Sequence, residues 1–319
     1  MSTLASKRAL RQDPGKTRVT PRDLLALSFI GEAQPVTTRQ VRNLLALSED
    51  MAHRRLGVLR DHGLVRVHVA AQHEVNRYTL APAAAPILAR LTGASPAEFW
   101  VPRGGVERAD LAHHEAAVDL YVSVRLATAR SGKVQLKRWH FEREIRKTAG
   151  TGPGVLGPDA VGLFELADGR QRAIAFEVDL GTENPSYVAT HKGEAYTELK
   201  GAKAPILGTS DWCVACYVAA PERRLHRLAL ALAEAAVPTG LWYLGLAARL
   251  GGQTILTPAW VTPIVDQGAG TATLALGSPW EGVGTDRRNS SDGSSSRQGR
   301  LEADRASAPG RAFTSERVP

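Results

Sequence analysis

The chain has 319 residues, 43% hydrophobic and 23% charged, enough apolar material for two folded domains and too much for a wholly disordered chain. Its 40 Lys and Arg exceed its 32 Asp and Glu by 8, which points to an anionic partner, and the excess is uneven: residues 1–82 carry 13 basic and 7 acidic side chains. The N-terminus is polar and basic, without the apolar core of a signal peptide, and the longest apolar stretch, 228–250, is broken by Glu234, Pro238 and Gly240, which excludes a membrane span.

Residues 1–19 read as a basic, flexible N-terminus. Thr20 before Pro21 predicts a capped first helix, with Leu24, Leu25, Leu27 and Ile30 at helical spacing. Thr37 or Thr38 opens a second helix through Val41, Leu44 and Leu45. Ser48 opens a third, which ends at His62 and Gly63. Two alternating segments follow, 64–69 and 75–80, separated by a short polar turn. Three helices and a hairpin over residues 20–82 predict a winged helix-turn-helix, which lays its third helix in the DNA major groove. Arg39, His53, Arg54, Arg55, Arg60, Arg66 and Arg77 are the expected DNA contacts, because arginine serves both phosphate and guanine.

Residues 83–105 read as a short helix and a linker. From 106 to 265 the pattern gives a helix over 107–130, a strand over 134–141, strands over 159–166 and 172–180, a helix over 185–200 and a strand over 212–219. A further helix over 221–236 and a strand over 241–247 follow. Residues 282–319 are rich in Ser, Gly, Arg, Asp and Pro and read as a disordered tail. The class is α+β.

Three carboxylates stand where two adjacent strands end: Asp159 in GPDAVGLFE, and Glu177 and Asp179 in AIAFEVDLG. Clustered acids on neighbouring strands suggest a Mg²⁺ site, with Asp159, Glu177 and Asp179 as ligands. Lys192 lies on the next helix with Tyr196 at i+4 on the same face. The order Pro-Asp, Glu-x-Asp, Lys and the α-β-β-β-α-β topology resemble the PD-(D/E)xK nuclease pattern. The usual lysine position, two residues after the glutamate, is here taken by Asp179. His114 and Glu115, beside His113 on the first helix of this domain, are secondary catalytic candidates, and Tyr121 and Tyr196 are the candidates for a tyrosine-based strand transfer. The glycine-rich stretch 150–159 lacks the Lys and Ser/Thr of a phosphate-binding loop.

The only two cysteines, Cys213 and Cys216, sit three apart in an apolar strand and so face opposite sides, which predicts buried free thiols in a reducing cytoplasm rather than a zinc site.

The winged helix, then LAHHEAAVDLYV, GPDA, FEVDLGTEN and a helix carrying HKGEAYTEL, together resemble the replication-relaxation family of plasmid and mobile-element proteins over roughly residues 20–220. Pro158, Asp159, Glu177, Asp179, Thr182, Glu183, Lys192 and Tyr196 carry the resemblance. It implies a DNA-binding module joined to a nuclease-like domain, acting on double-stranded plasmid DNA in replication and relaxation. It also implies His114, Asp159, Glu177, Asp179 and Lys192 as site residues. Two activities are compatible with that: a Mg²⁺-dependent endonuclease or nickase, and a non-catalytic initiator or transcriptional regulator built on a degenerate nuclease fold.

Overall fold

The computed structural model describes residues 18–69, 75–104, 111–149, 157–266 and 271–280. The expected tail, 282–319, the start of the expected N-terminus, 1–17, the hairpin turn, 70–74, and most of the glycine-rich stretch, 150–156, lie outside the described residues.

Helix α1 (Pro21–Ala33) begins with a reciprocal cap: the Asp23 amide donates to the Thr20 hydroxyl, and the Thr20 amide donates to the Asp23 carboxylate at 2.6 Å. Strand β1 (Val36–Thr37) leads into α2 (Thr38–Leu45), capped by Thr37 with Gln40, and Ser48 caps α3 (Glu49–Asp61). Strands β2 (Val65–His68) and β3 (Arg77–Leu80) form the expected hairpin. β1 adds to it, giving an antiparallel sheet in the order β1-β3-β2. β1 is only two residues long, too short to show an alternation in sequence.

The buried Asp23 carboxylate also accepts from the Arg55 guanidinium, so a single acid both caps α1 and ties it to α3. Replacing Arg55 with Ala is expected to cost about 1–3 kcal/mol in urea unfolding, because Asp23 keeps its Thr20 donors but loses its counter-charge.

Helix α4 (Ala85–Thr92) precedes α5 (Leu111–Arg130), whose expected start at 107 lies outside the described residues, as do all of 105–110. Strand β4 (Val134–Phe141) runs directly into α6 (Glu142–Ala149), an element without a sequence signal: EREIRKTA has a single large apolar residue and therefore no periodicity to read. Strands β5 (Ala160–Leu166) and β6 (Gln171–Asp179) follow as expected. The expected helix 185–200 divides into α7 (Pro185–Tyr187), a π-helical turn (Val188–Gly193) and α8 (Glu194–Gly201). Strand β7 (Trp212–Val218), α9 (Glu222–Glu234) and β8 (Trp242–Leu246) match the reading; β9 (Trp260–Asp266) and β10 (Thr271–Gly277) extend beyond it. Pro263 inside β9 hides that strand from a propensity argument.

The seven strands form one sheet in the order β10-β9-β8-β7-β6-β5-β4, parallel across β6-β7-β8 and antiparallel elsewhere. Both faces of its centre are covered, so β6 and β7 read as near-continuous apolar runs. Cys213, Ala215 and Tyr217 of β7 face α5, whereas Val214, Cys216 and Val218 face α9, which places the two buried thiols on opposite faces as the spacing requires. The first of these clusters runs continuously from Leu27, Ile30 and Leu56 through Leu88 to Val118, Tyr121 and Phe176, so the N-terminal helices and the sheet share a core across the expected linker. No described helix is long and apolar enough to cross a membrane.

Candidate functional site at the β5 and β6 strand ends

The antiparallel register pairs Ala160 with Phe176, which brings Asp159, just ahead of β5, alongside Glu177 and Val178. The Val178 amide donates to Asp159 Oδ2 at 2.7 Å and fixes that carboxylate at the mouth of the sheet. Glu177 points to the α8 face, where it is only 4% exposed. It accepts from Lys192 Nζ at 2.7 Å through Oε2 and from the Tyr196 hydroxyl at 2.6 Å through Oε1.

The π-helical turn holds this arrangement. It carries Lys192, and α8 carries Tyr196, so one strand carboxylate receives donors from two successive turns. π-turns occur frequently at functional sites. Gly193 within the turn packs so tightly on α9 and the segment after it that a Cβ would lie 3.0 Å from Val237 and 3.3 Å from Leu232.

Burial pushes the Glu177 carboxyl up to about 7; the Lys192 ammonium opposes that and the Asp159 charge adds to it. Lys192 loses hydration by burial, but the charge and hydrogen bond of Glu177, with the charges of Asp159 and Glu183, together outweigh that loss and hold its pKa above the ordinary lysine value. His113 Nδ1 lies 3.5 Å from Asp159 Oδ1, and that hydrogen bond raises the imidazole pKa. Because the raised His113 value favours the folded state at low pH, its stabilising contribution is present below about 6.5 and lost as pH rises through the folded value. His113→Gln is therefore expected to flatten the decline in thermal stability between about pH 6 and 8. Glu183, exposed on the loop after β6 with Thr182, adds its charge to both His113 and Lys192. Glu177 and Tyr196 thus close the floor of the site, and Asp159, His113 and Lys192 form its accessible rim. A cavity of about 210 Å³ abuts that rim, walled by His113, Asp159, Glu142 and Arg143.

Two expected members are placed elsewhere. Asp179 is buried and accepts from Arg224 Nε at 2.7 Å and Nη2 at 3.0 Å, with the Gly181 amide on Oδ1 at 2.9 Å. Gly181 takes a positive φ of 79°, which turns the chain back so that this amide reaches its acceptor. Among the described residues no group of three metal-ligating side chains is assembled, and the expected third ligand is held in an ion pair. His114 is partly buried, with Nε2 at 2.9 Å from the Ala33 carbonyl and 3.1 Å from that of Pro35; desolvation lowers its pKa, and it fastens α5 to the N-terminal module. The histidine at the site is its neighbour, His113. Tyr121 is buried against Glu32 and Tyr196 is fully enclosed, so neither hydroxyl is presented for strand transfer.

The expected DNA contacts divide in two. His53, Arg54 and Arg60 are exposed on α3. Arg55 is committed to Asp23, Arg77 donates to Glu115 at 2.7 Å, Arg39 donates to Asp119 at 2.7 Å, and Arg66 donates to the Pro102 carbonyl at 2.7 Å. Gln40 adds a bond to Asp119 at 3.0 Å, so the α2 and β3 cations face acids of α5. Glu115 is accordingly a docking residue, not a neighbour of Asp159.

A family model described as Replication-relaxation matches residues 27–209, more than half of the chain. Two solved structures show partial similarity. One is a cysteine-to-serine mutant of Lactococcus lactis ZitR, at 18% identity and TM-score 0.22, with 26% of this chain and 57% of that chain covered. The other is Lactococcus lactis ZitR described as a zinc-responsive MarR family member, at 20% identity and TM-score 0.22, with 26% and 58% covered. The chain spans less than two thirds of either. No curated protein matches.

Proposed function

The chain belongs to the replication-relaxation family, and from that premise we propose that it is a double-stranded-DNA-binding protein of plasmid replication and relaxation that nicks DNA with Mg²⁺. In this reading α1–α3 with the β2–β3 hairpin are a winged helix-turn-helix, and the sheet with α5, α7 and α8 is a PD-(D/E)xK-like domain.

The observation that carries the reading is the reach of Lys192: displaced onto the helix after β6, it still meets Glu177 at 2.7 Å, alongside Asp159. Magnesium takes oxygen ligands and retains several waters, so one or two carboxylates suffice to hold it. Asp159 and Glu177 fit that requirement in kind, whereas Asp179 is paired with Arg224. Bound there, the ion would lower the pKa of an attacking water and neutralise charge on the phosphoryl oxygens. The chain's own groups complete the chemistry. Lys192 places an ammonium where negative charge builds as water adds to phosphorus, and the imidazolium of His113, held by Asp159, supplies a proton to the departing oxygen.

One observation favours the non-catalytic alternative, an initiator or regulator: both Glu177 oxygens already hold donors. Purified protein incubated with supercoiled plasmid and Mg²⁺ or Mn²⁺ separates the two. Nicked product from the wild type, absent with Asp159→Ala, supports the nickase. Intact plasmid alongside salt-sensitive binding supports the regulator.

Duplex binding is expected to depend on the exposed face of α3. Arg54→Ala should weaken binding and reduce the slope of log affinity against log salt by about 1, read by fluorescence anisotropy across a salt series. A variant with unchanged slope would remove Arg54 from the interface.

A further inference from the structure

Next to the acid site lies a second cavity, of about 380 Å³, between the turn that carries Phe99 and Trp100 and the outer strand β4. Its walls combine aromatic rings with cations. Trp100 is 38% exposed, and Arg143 lies over its ring at 4.1 Å from the centroid. Trp139, Tyr121 and Phe141 pack against one another on the opposite wall, at centroid separations of 5.1 to 5.9 Å.

The acids that reach this cavity are already satisfied. Glu32 accepts from Tyr121, Glu144 pairs with Arg143, and Glu98 accepts from the Ser95 amide at 2.7 Å. Arg138 is exposed and makes no ion pair among the described residues, so its charge is the uncompensated one in the wall. The cavity also shares Glu32, Trp100, Phe141, Arg143 and Glu144 with the smaller one at Asp159 and His113, so the two adjoin across these side chains.

We propose that this aromatic cavity binds an unstacked nucleotide of a single DNA strand and leads that strand to the Asp159 rim. The inference rests on the nickase or DNA-binding reading above for its choice of ligand. A base offers a π-face to Trp100, and its phosphate offers a counter-charge to Arg138. Stacking platforms flanked by cations bind single strands in this way, without reading sequence. The surface is separate from α3, so duplex and single-strand binding draw on different residues.

The test is binding of a fluorescein-labelled oligodeoxythymidine of about ten nucleotides, in EDTA so that no cleavage occurs, with dTMP as competitor. Trp100→Ala and Arg138→Ala are each expected to weaken oligonucleotide binding by about tenfold while leaving duplex affinity unchanged, and Trp100→Phe is expected to restore most of it. Arg138 is exposed, so its variant reports on the cavity even where Trp100→Ala disturbs folding. Displacement by dTMP alone at comparable concentrations would reassign the cavity to a free nucleotide and overturn the strand path. Equal affinities for wild type and both variants, or no oligonucleotide binding, would also overturn the proposal. Because the assay omits the metal, loss of the nickase reading leaves its result intact; plasmid nicking without oligonucleotide binding would remove the cavity alone.

Discussion

Glu177→Gln is expected to reduce Mg²⁺-dependent nicking of supercoiled plasmid by at least about a hundredfold. The wild-type carboxyl, pushed up to about 7 by burial, carries its full charge only above that value. Glutamine keeps the shape and the Tyr196 contact but has no charge to gain. The same carboxyl makes stability depend on pH. Its folded value, about 7, lies above the ordinary 4.5, so between these values the folded state binds more protons than the unfolded state. Stability from this residue therefore falls as pH rises through that window. Thermal unfolding compared at about pH 5 and about pH 7 should show a larger drop for the wild type than for Glu177→Gln. A glutamine variant that nicks plasmid at the wild-type rate would end the proposed role of this carboxylate.

Much of this arrangement is legible in the sequence, and the parts that are not share a cause. The strand-end acids can be read because alternating apolar runs place Asp159 and Glu177 at the ends of neighbouring strands, and because the cap residues Thr20, Thr37 and Ser48 mark helix starts locally. The reach of Lys192 depends on a π-turn, which no periodicity announces. His113 and His114 are adjacent, and only the docking of α5 on the Ala33 and Pro35 carbonyls decides that His114 is structural and His113 faces Asp159. The ion pairs of Arg39 and Arg77 are not legible in the sequence, because the acids that engage them, Asp119 and Glu115, lie 80 and 38 residues away in the chain. The fate of Asp179 had a readable trace. Arg224 precedes Leu228 by four residues on the apolar stripe of α9, and a cation on a buried face requires a carboxylate partner.

That pair gives the second large effect. Replacing Arg224 with Met is expected to destabilise the protein by about 3–5 kcal/mol in urea unfolding, because it leaves the Asp179 carboxylate buried with only the Gly181 amide as donor. Asp179→Asn, which removes the charge yet keeps an acceptor for Arg224 and Gly181, should cost less. The double variant Asp179→Asn with Arg224→Met should recover part of the loss in a mutant cycle, since neither charge is then stranded. Nicking discriminates the roles of the three acids. Folded Asp179→Asn should retain activity within about twofold of the wild type, whereas Asp159→Ala should not. If Asp179→Asn instead loses nicking as completely as Asp159→Ala while its unfolding curve is little changed, Asp179 acts at the metal and the ion pair with Arg224 must open for catalysis.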